Sequence, residues 1–273
     1  MDDEFGGDSG RRSASRRDTL GDVADALATA ESATAMTGAG VSTASGIPSF
    51  RGEGGIWNTD FDPDDFSIDR FRADPDGFWR DRLELHGRMF AADPEPNPAH
   101  DALVRLEEMG VLDAVVTQNT DGLHKEAGTG RLIELHGNAA RAACVECDAT
   151  VPAAEAFEAV RGGETPRCPA CEGLMKPDVV LFGEELPYHP FDAARRMARE
   201  GDLFLAVGSS LTVEPAASLP EEASRFGGEL AVVNLDATET DRVAHHVVRG
   251  DATEALPVLV EMVEARLAAK RSV

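Results

Sequence analysis

The sequence predicts an α/β fold built on a Rossmann-like, doubly wound parallel sheet. Short and nearly continuous apolar runs recur along the chain, as is typical of strands that are buried on both faces. They lie at residues 33–37, 111–117, 179–182, 203–207 and 230–235. Segments with helical spacing separate or follow most of these runs, and such strand–helix alternation indicates a parallel sheet covered by helices.

The first third of the chain adds four features to this pattern. Residues 1–18 contain almost no apolar side chains and predict a disordered arm. An alanine-rich helix from Leu20 is expected to lead into the first strand. Residues 53–66 are rich in Gly, Asp and Pro, which predicts a loop, and apolar residues at helical spacing over 69–92 predict an inserted helical piece.

The rest of the chain returns to alternating helices and strands. Prolines within residues 94–98 stop the chain before a helix expected over 99–109, and Gly110 ends that helix before the second strand. Further helices are expected at 190–200, 214–226 and 252–269. With 42% hydrophobic residues, the chain can bury a substantial core.

The charge of the chain is strongly unbalanced. Its 273 residues include 50 acidic and 26 basic ones, which gives a net charge of −24. Such a field repels nucleic acid and anionic membranes, so neither is expected as a direct partner. The only lysines are Lys125, Lys176 and Lys270. An acidic surface with few lysines favours a high-salt cytoplasm, where counterions screen the repulsion, over an ordinary acidic mesophile.

Two further observations bear on location. No apolar stretch is long enough to span a membrane, and the residues from Met1 to Glu4 do not resemble a signal peptide. A cytoplasmic protein is therefore expected.

Four cysteines form two C-x-x-C pairs, Cys144 with Cys147 and Cys168 with Cys171, twenty residues apart. Each pair can place two thiolates on one side of a tetrahedral ion, and the spacing lies at the edge of the zinc-ribbon range. Four cysteine ligands leave no open position, so the zinc is expected to be structural. Two thioredoxin-like redox motifs are the alternative. The fold prediction thus includes a small zinc-ribbon plus helical module.

The first predicted strand is followed by GAGVSTASGIPSFRG at residues 38–52. Gly38 and Gly40 begin like a dinucleotide-binding turn and are expected to keep side chains away from a pyrophosphate. Thr43 stands where the third glycine of G-x-G-x-x-G would be, and a proline, a phenylalanine and an arginine follow. The stretch therefore predicts a phosphate turn joined to a flexible, water-excluding loop.

Polar side chains follow the predicted strands at their carboxyl ends, where open parallel sheets bind ligands. Gln118, Asn119 and Asp121 follow the second strand and can hold ribose hydroxyls or a carboxamide, although Asp121 can equally be a helix N-cap. Because the unperturbed pKa of histidine lies near neutrality, His136 suits the role of general base for a sugar hydroxyl. Later strand ends offer possible phosphate, ribose or adenine contacts at Gly208, Ser209, Ser210, Asn234 and Asp236.

In this order, the motifs resemble those of the sirtuin family of NAD-dependent protein deacylases, of the prokaryotic and archaeal type. The resemblance covers residues 20–260. Besides the glycine-rich stretch and the cysteine pairs, the matching words are TQNTDGLH at 117–124, ELHGN at 134–138, KPDVVLFGE at 176–184, GSSLTVEPA at 208–216 and VNLD at 233–236.

The resemblance implies a Rossmann-like NAD-binding domain and a small domain, with NAD and an acyl-lysine peptide meeting in the cleft between them. The large domain would comprise residues 19–52, 97–140 and 176–265, the cofactor loop and helical insertion 53–96, and the zinc-binding module 141–175.

Carried over to this sequence, the resemblance implies roles for individual residues. His136 and Asn119 match the catalytic residues. Val180, Leu181 and Phe182 match the strand that pairs with the substrate backbone and walls the acyl-lysine tunnel, with Glu184 beside them. Zn²⁺ would be held by Cys144, Cys147, Cys168 and Cys171. The implied NAD contacts are Gly38, Ala39, Gly40, Thr43, Phe50, Arg51, Gln118, Asn119, Asp121, His136, Gly208, Ser209, Ser210, Asn234, Asp236, Asp251 and Ala252.

The implied activity is NAD-dependent deacetylation (deacylation) of lysine in a protein or peptide, which yields nicotinamide, O-acyl-ADP-ribose and the deacylated lysine. Family members that prefer succinyl or malonyl lysine carry a Tyr-x-x-Arg pair in the helical insertion. The only tyrosine here is Tyr188, outside that insertion. Although His86 and Arg88 lie in the insertion, acetyl or other neutral acyl groups are expected.

Three other functions are alternatives to this one. A mono-ADP-ribosyltransferase could use the same NAD site. A non-catalytic NAD or zinc-ribbon binding module has no need of a base such as His136. A Rossmann dehydrogenase requires an acidic residue at the end of the next strand, yet residues 57–66 look like a loop.

Overall fold

The computed structural model describes residues 8–50, 55–59, 61–147 and 149–272. Within these ranges the strands are β1 Ala33–Thr37, β2 Ala114–Thr117, β3 Leu132–Glu134, β4 Gly137–Cys144, β5 Thr150–Pro152, β6 Met175–Val179, β7 Leu203–Val207, β8 Glu229–Asn234 and β9 His246–Arg249. The α-helices are α1 Asp8–Thr29, α2 Ile56–Thr59, α3 Ile68–Ala73, α4 Pro75–Met89, α5 Pro98–Glu108, α6 Leu123–Glu126, α7 Ala153–Arg161, α8 Tyr188–Glu200, α9 Ser218–Arg225 and α10 Ala252–Arg271.

Six strands form a sheet in the order β3-β2-β1-β7-β8-β9, and each neighbouring pair is parallel. The two central strands, β1 and β7, are buried along their whole length, which is why they appear in the sequence as continuous apolar runs. The chain winds outward from β1 to β3 and then returns beside β1 as β7. The topological switch point therefore lies between β1 and β7, and the doubly wound fold class is confirmed.

Helices cover both faces of this sheet. On one face α1, α5 and α10 contribute Leu27, Leu103 and Leu259, each 0% exposed, to a single apolar cluster. On the other face α8 and α9 bury Ala198 and Leu219 against the sheet. Full burial of one leucine side chain stabilises the fold by about 1.5–3 kcal/mol. Both faces are thus occupied, and the carboxyl ends of the strands remain as the open edge.

The helix α1 begins at Asp8, so it includes most of the segment that the sequence predicts as a disordered arm over residues 1–18. Residues 1–7 lie outside the described residues. The helix docks on α10, where Arg266 Nε donates to the Asp25 carboxylate at 2.6 Å. Only the first turn of a helix carries the nucleation cost, so a docked helix extends through polar residues with little penalty.

A second, smaller unit contains the antiparallel sheet β5-β4-β6 and the helices α3, α4 and α7. Because β6 pairs antiparallel with β4, the prediction of a parallel-sheet strand at 179–182 is wrong. A short apolar run has no periodicity that indicates which sheet it joins. The boundaries predicted at 140/141 and 175/176 fall within β4 and β6.

The helical insertion and the cysteine-bearing sheet belong to the same core. Trp79 on α4 is 1% exposed, and its Nε1 donates to the carbonyl oxygen of Met175 on β6 at 2.9 Å. Residues 53–66, predicted as a loop, include α2 and a 3-10 helix at Pro63–Phe66. None of the helices in the described part of the chain has the length and apolar character needed to cross a bilayer.

Candidate functional site

A cavity of about 660 Å³ opens between the carboxyl ends of the parallel strands and the smaller unit. This volume is in the usual range of ligand sites. Most of the predicted site residues lie on its wall: Ala39, Gly40, Thr43, Phe50, Gln118, Asn119, His136, Val180, Leu181, Phe182, Glu184, Gly208, Ser209, Ser210, Asn234, Asp236, Asp251 and Ala252. Gly38 and Asp121 lie behind this wall, and Arg51 lies outside the described residues.

The glycines of the first turn allow two loops of the site to touch. The Gly40 N–H donates to the carbonyl oxygen of Gly208 at 2.7 Å. A Cβ on Gly40 would lie 2.8 Å from that oxygen, and a Cβ on Gly38 would lie 2.7 Å from Ser209 Cβ. These separations are shorter than side-chain contacts permit. Both glycines therefore pack closely against the backbone that follows β7, and their predicted role beside a pyrophosphate stays a prediction.

Asn119 belongs to a buried hydrogen-bond network. Its Nδ2 donates to the carbonyl oxygen of Gly38 at 3.1 Å and to Ser42 Oγ at 3.0 Å. Ser42 Oγ in turn donates to Asp121 Oδ2 at 2.8 Å, and Asp121 Oδ1 accepts from the Leu123 N–H at 2.9 Å. Both carboxylate oxygens of Asp121 are thus engaged within the protein, which favours its alternative, structural role. A direct ligand contact for Asp121 stays a prediction.

Gln118 lies on the cavity wall and carries an unpartnered amide donor. Its Oε1 accepts from Ser209 Oγ at 2.8 Å, whereas its buried Nε2 has no hydrogen-bond partner. A buried amide donor without an acceptor is costly, about 1–3 kcal/mol, so a ligand oxygen that accepts from it is strongly favoured. The carbonyl of a carboxamide or a ribose oxygen has this property, and the site therefore fits the chemistry of NAD.

His136 is held as a neutral base on the same wall. Its Nδ1 lies 2.9 Å from the carbonyl oxygen of Gln118. A carbonyl can only accept, so Nδ1 carries the proton and Nε2 remains an acceptor. Burial lowers the pKa of His136, although the bond to Gln118 opposes the shift. The imidazole can accept a proton at neutral pH.

The segment predicted to contact a peptide is fixed within the protein. The Lys176 ammonium donates to the carbonyl oxygen of Val179 at 2.7 Å and to Glu184 Oε2 at 2.9 Å. The N–H groups of 180, 181 and 182 donate to His136 O, Glu184 Oε2 and Phe66 O. These residues wall the cavity, but their N–H groups are already paired. Pairing of this segment with a substrate backbone stays a prediction, and such pairing requires backbone groups other than these three N–H groups.

Several residues of the cavity wall were not predicted from the sequence. Trp57 and Phe66 come from the segment predicted as a loop, and Arg82 comes from the helical insertion. Ser42 is fully buried behind the wall. A buried serine directly after the glycine turn could have been noticed as a candidate, whereas the aromatic residues and Arg82 carry no local signal of ligand contact.

The four cysteines form one compact cluster. Their sulfur atoms all lie within 4.8 Å of one another, with Cys144 3.5 Å from Cys171 and Cys147 3.7 Å from Cys168. Tetrahedral zinc at its usual bond length to sulfur of about 2.3 Å requires thiolates about 3.8 Å apart. One closed zinc site therefore fits, and two separate redox pairs do not. The four residues are not on the cavity wall, which supports a structural role for the metal.

The fold and the site together define a nucleotide-binding α/β protein with a structural zinc module. Residues 38–215 match the model of the Sir2 family. The chain is 53% identical over 247 residues to an NAD-dependent protein deacetylase of Haloarcula marismortui, which covers 89% of this chain and 94% of that protein. It is also 43% identical over 249 residues to NAD-dependent protein deacylase 2 of Archaeoglobus fulgidus, which covers 90% and 97%.

Solved structures agree with these relatives. A structure described as Sir2 with a p53 peptide and NAD⁺ has a TM-score of 0.79 at 36% identity, covering 90% of this chain and 98% of that one. A Sir2 structure solved to explain the mechanism and regulation of these enzymes has a TM-score of 0.81 at 42% identity, covering 92% and 99%. The chain belongs to the Sir2 family, the sirtuins, and the resemblance identified in the sequence is confirmed.

Proposed function

We propose that this protein is an NAD-dependent protein lysine deacylase that acts on acyl-lysine proteins or peptides. The observation that carries the proposal is the neutral imidazole of His136, held by the carbonyl of Gln118 on a cavity wall that also presents the unpartnered Gln118 amide. A general base and a carboxamide-binding donor in one cavity serve a reaction that uses NAD.

The proposed reaction converts acyl-lysine, NAD and water into lysine, nicotinamide and O-acyl-ADP-ribose. NAD supplies the ADP-ribosyl group, with nicotinamide as the leaving group. In this chain His136 Nε2 accepts the proton of a ribose hydroxyl. Phe50, Trp57 and Phe66 form an apolar wall that keeps water from the reacting carbon. Asn119 is a positioning residue, since it holds the glycine turn through Gly38.

The protein is also proposed to hold Zn²⁺ through its four cysteines and to act in a salt-rich cytoplasm. The net charge of −24 and the relative from Haloarcula support the salt requirement. Thiolate ligands for a metal suit a reducing compartment.

The test is incubation of the protein with an acetyl-lysine peptide, with and without NAD, while nicotinamide and peptide mass are followed. NAD-dependent loss of the acetyl group together with stoichiometric nicotinamide supports deacylation. Transfer of labelled ADP-ribose to protein without O-acyl-ADP-ribose would instead indicate a mono-ADP-ribosyltransferase, which no feature of the described site favours. A protein that binds NAD without turnover would overturn the enzymatic proposal.

A further inference from the structure

Arg141 on β4 bridges two carboxylates. Its Nε donates to Asp178 Oδ2 at 2.6 Å, and its Nη2 donates to Glu134 Oε2 at 3.1 Å. The other carboxylate oxygen of Glu134 accepts from Asn138 Nδ2 at 2.6 Å. The three charged side chains are only partly exposed, so salt screens their interactions less than those of fully exposed pairs. Arg141, Glu134 and Asp178 thus form one unit, the Arg141 clasp.

The Arg141 clasp joins the two units of the protein. Glu134 is the last residue of β3, at the edge of the six-stranded parallel sheet. Arg141 and Asp178 belong to the antiparallel sheet of the smaller unit. The chain passes from one sheet to the other between Glu134 and Arg141. The ion pair of these two residues therefore fixes the smaller unit against the edge of the parallel sheet, beside the opening of the cavity.

The backbone pairing beside the clasp is interrupted. The register of β4 against β6 shifts between Gly137 and Ala142, where residues 138–141 lie opposite Asp178 alone. Such a bulge bends its strand and leaves the backbone groups of the extra residues out of the ladder. The bond between the side chains of Arg141 and Asp178 joins the two strands at this point. It thereby holds the first residues of β4 in one position although the ladder is incomplete there.

His136 lies within the stretch that the clasp holds. Glu134 precedes it by two residues. The carbonyl oxygen of His136 accepts from the N–H of Val180, which follows Asp178 by two residues, at 2.9 Å. The ring donates its Nδ1 proton to the carbonyl oxygen of Gln118 in the larger unit. His136 therefore contacts both units, and the direction of its Nε2 depends on how the two units are held together.

We propose that Arg141 is a positioning residue that fixes the orientation of His136 through the backbone of residues 134–138. The inference rests on the proposed deacylase function and names a residue that orients its general base. No member of the Arg141 clasp is among the described residues that line the cavity, so Arg141 does not act by contact with a ligand. A guanidinium suits this role, because its planar fork has donors for two carboxylates at once.

The experiment measures kcat and the KM for NAD, with an acetyl-lysine peptide as the second substrate, in the wild type and in Arg141→Met. Methionine keeps an apolar stem and removes the charge. Loss of the clasp should lower kcat by about 10-fold or more, since misplacement of a catalytic group by about 1 Å reduces rates by as much as about 10²-fold. The KM for NAD should stay close to the wild-type value, because no residue of the cavity wall is altered.

Arg70→Met is the matched control. Arg70 has a similar exposure and also bridges two carboxylates of the smaller unit, Asp74 at 2.8 Å and Asp81 at 3.3 Å, but neither of them belongs to the parallel sheet. This variant should keep the wild-type kcat. An unchanged kcat in Arg141→Met overturns the proposal, as does an equal decrease in both variants. Arg141→Lys, which keeps the charge without the fork, replaces Arg141→Met should the latter fail to fold, and it too should have a lowered kcat.

NMR of the His136 ring, assigned by comparison with His136→Ala, separates this inference from the proposed function. The Nδ1 proton resonance should be present in the wild type and in Arg70→Met, and it should be lost through exchange with solvent in Arg141→Met. A lowered kcat with an unchanged Nδ1 resonance contradicts the positioning role and keeps deacylation. An Nδ1 resonance that depends on Arg141, together with no turnover of the acetyl-lysine peptide by the wild type, contradicts deacylation and keeps the positioning role.

Discussion

The imidazole of His136 donates its Nδ1 proton to the backbone carbonyl of Gln118, with 2.9 Å between nitrogen and oxygen. This bond links the second residue after β3 to the first residue after β2, so two strand ends jointly fix the tautomer. Since the acceptor is a backbone atom, the orientation of the ring depends on the sheet and not on another side chain. His136 Nε2 is thereby the basic atom of the site.

Replacement of His136 by Ala should lower deacylation by about 10²- to 10⁴-fold, because the general base is lost. The fold should persist, since the ring is held by one hydrogen bond at the cavity wall. Single-turnover assays with an acetyl-lysine peptide measure the effect, and His189→Ala, an exposed histidine on α8, is the control. Near-normal turnover by His136→Ala would overturn the assigned role.

The pH dependence of kcat/KM should reflect the lowered pKa of His136. A lowered pKa means that the base is already neutral at pH 7, so activity should stay constant above neutrality. It should decrease only at acidic pH, as the pH falls through this lowered pKa and the imidazole becomes protonated. A profile that still rises between pH 7 and 8 through a histidine-dependent step contradicts this assignment.

Removal of zinc should destabilise the smaller unit, because the ion joins β4 to the segment before β6. Cys171→Ser should lower the zinc content and reduce the melting temperature by about 10 °C or more. Glu146→Gln, which lies between two ligands without being one, should retain one zinc per chain. Atomic absorption and calorimetry provide the measurements, and a stable metal-free protein would refute the site.

Gly40→Ala should destabilise the protein by about 1–3 kcal/mol, because the new Cβ would lie 2.8 Å from the Gly208 carbonyl oxygen. NAD affinity should fall as well, since both loops line the cavity. Gly87→Ala is the matched control: a Cβ there meets nothing within 4 Å, and α4 should gain about 0.5–1 kcal/mol. Equal stability of the two variants, measured by urea unfolding, would contradict the steric argument.

The melting temperature should rise with KCl concentration from about 0.1 M to about 3 M, because screening relieves repulsion among the excess carboxylates. Calorimetry in KCl and in sucrose separates screening from the general effect of an excluded solute. No stabilisation by molar KCl would count against the halophilic interpretation.

Much of the fold was predictable from local patterns. The strands β1, β2, β7 and β8 are buried on both faces. Burial on both faces requires apolar side chains at successive positions, and the resulting apolar runs predict these strands. The apolar run at 179–182 predicts a strand of the parallel sheet, whereas the structure has β6 at Met175–Val179 in the antiparallel sheet, because an apolar run does not indicate its partner strand. The polar composition at the start of α1 predicts disorder, because the docking of this helix on α10 is a long-range contact that local composition does not indicate.

The candidate site, like the fold, was predictable from the sequence only in part. The sequence alone determined which chemical groups are present, since Gln118, Asn119, His136 and the four cysteines are recognisable from residue type, spacing and position after strands. Only the tertiary structure decided what each group faces. It turned Gly38 and Gly40 toward the backbone after β7, engaged Asp121 behind the wall, and brought Arg82 of the helical insertion to the cavity. Neighbours from distant parts of the chain set burial and pairing, and these determine the electrostatics of a site.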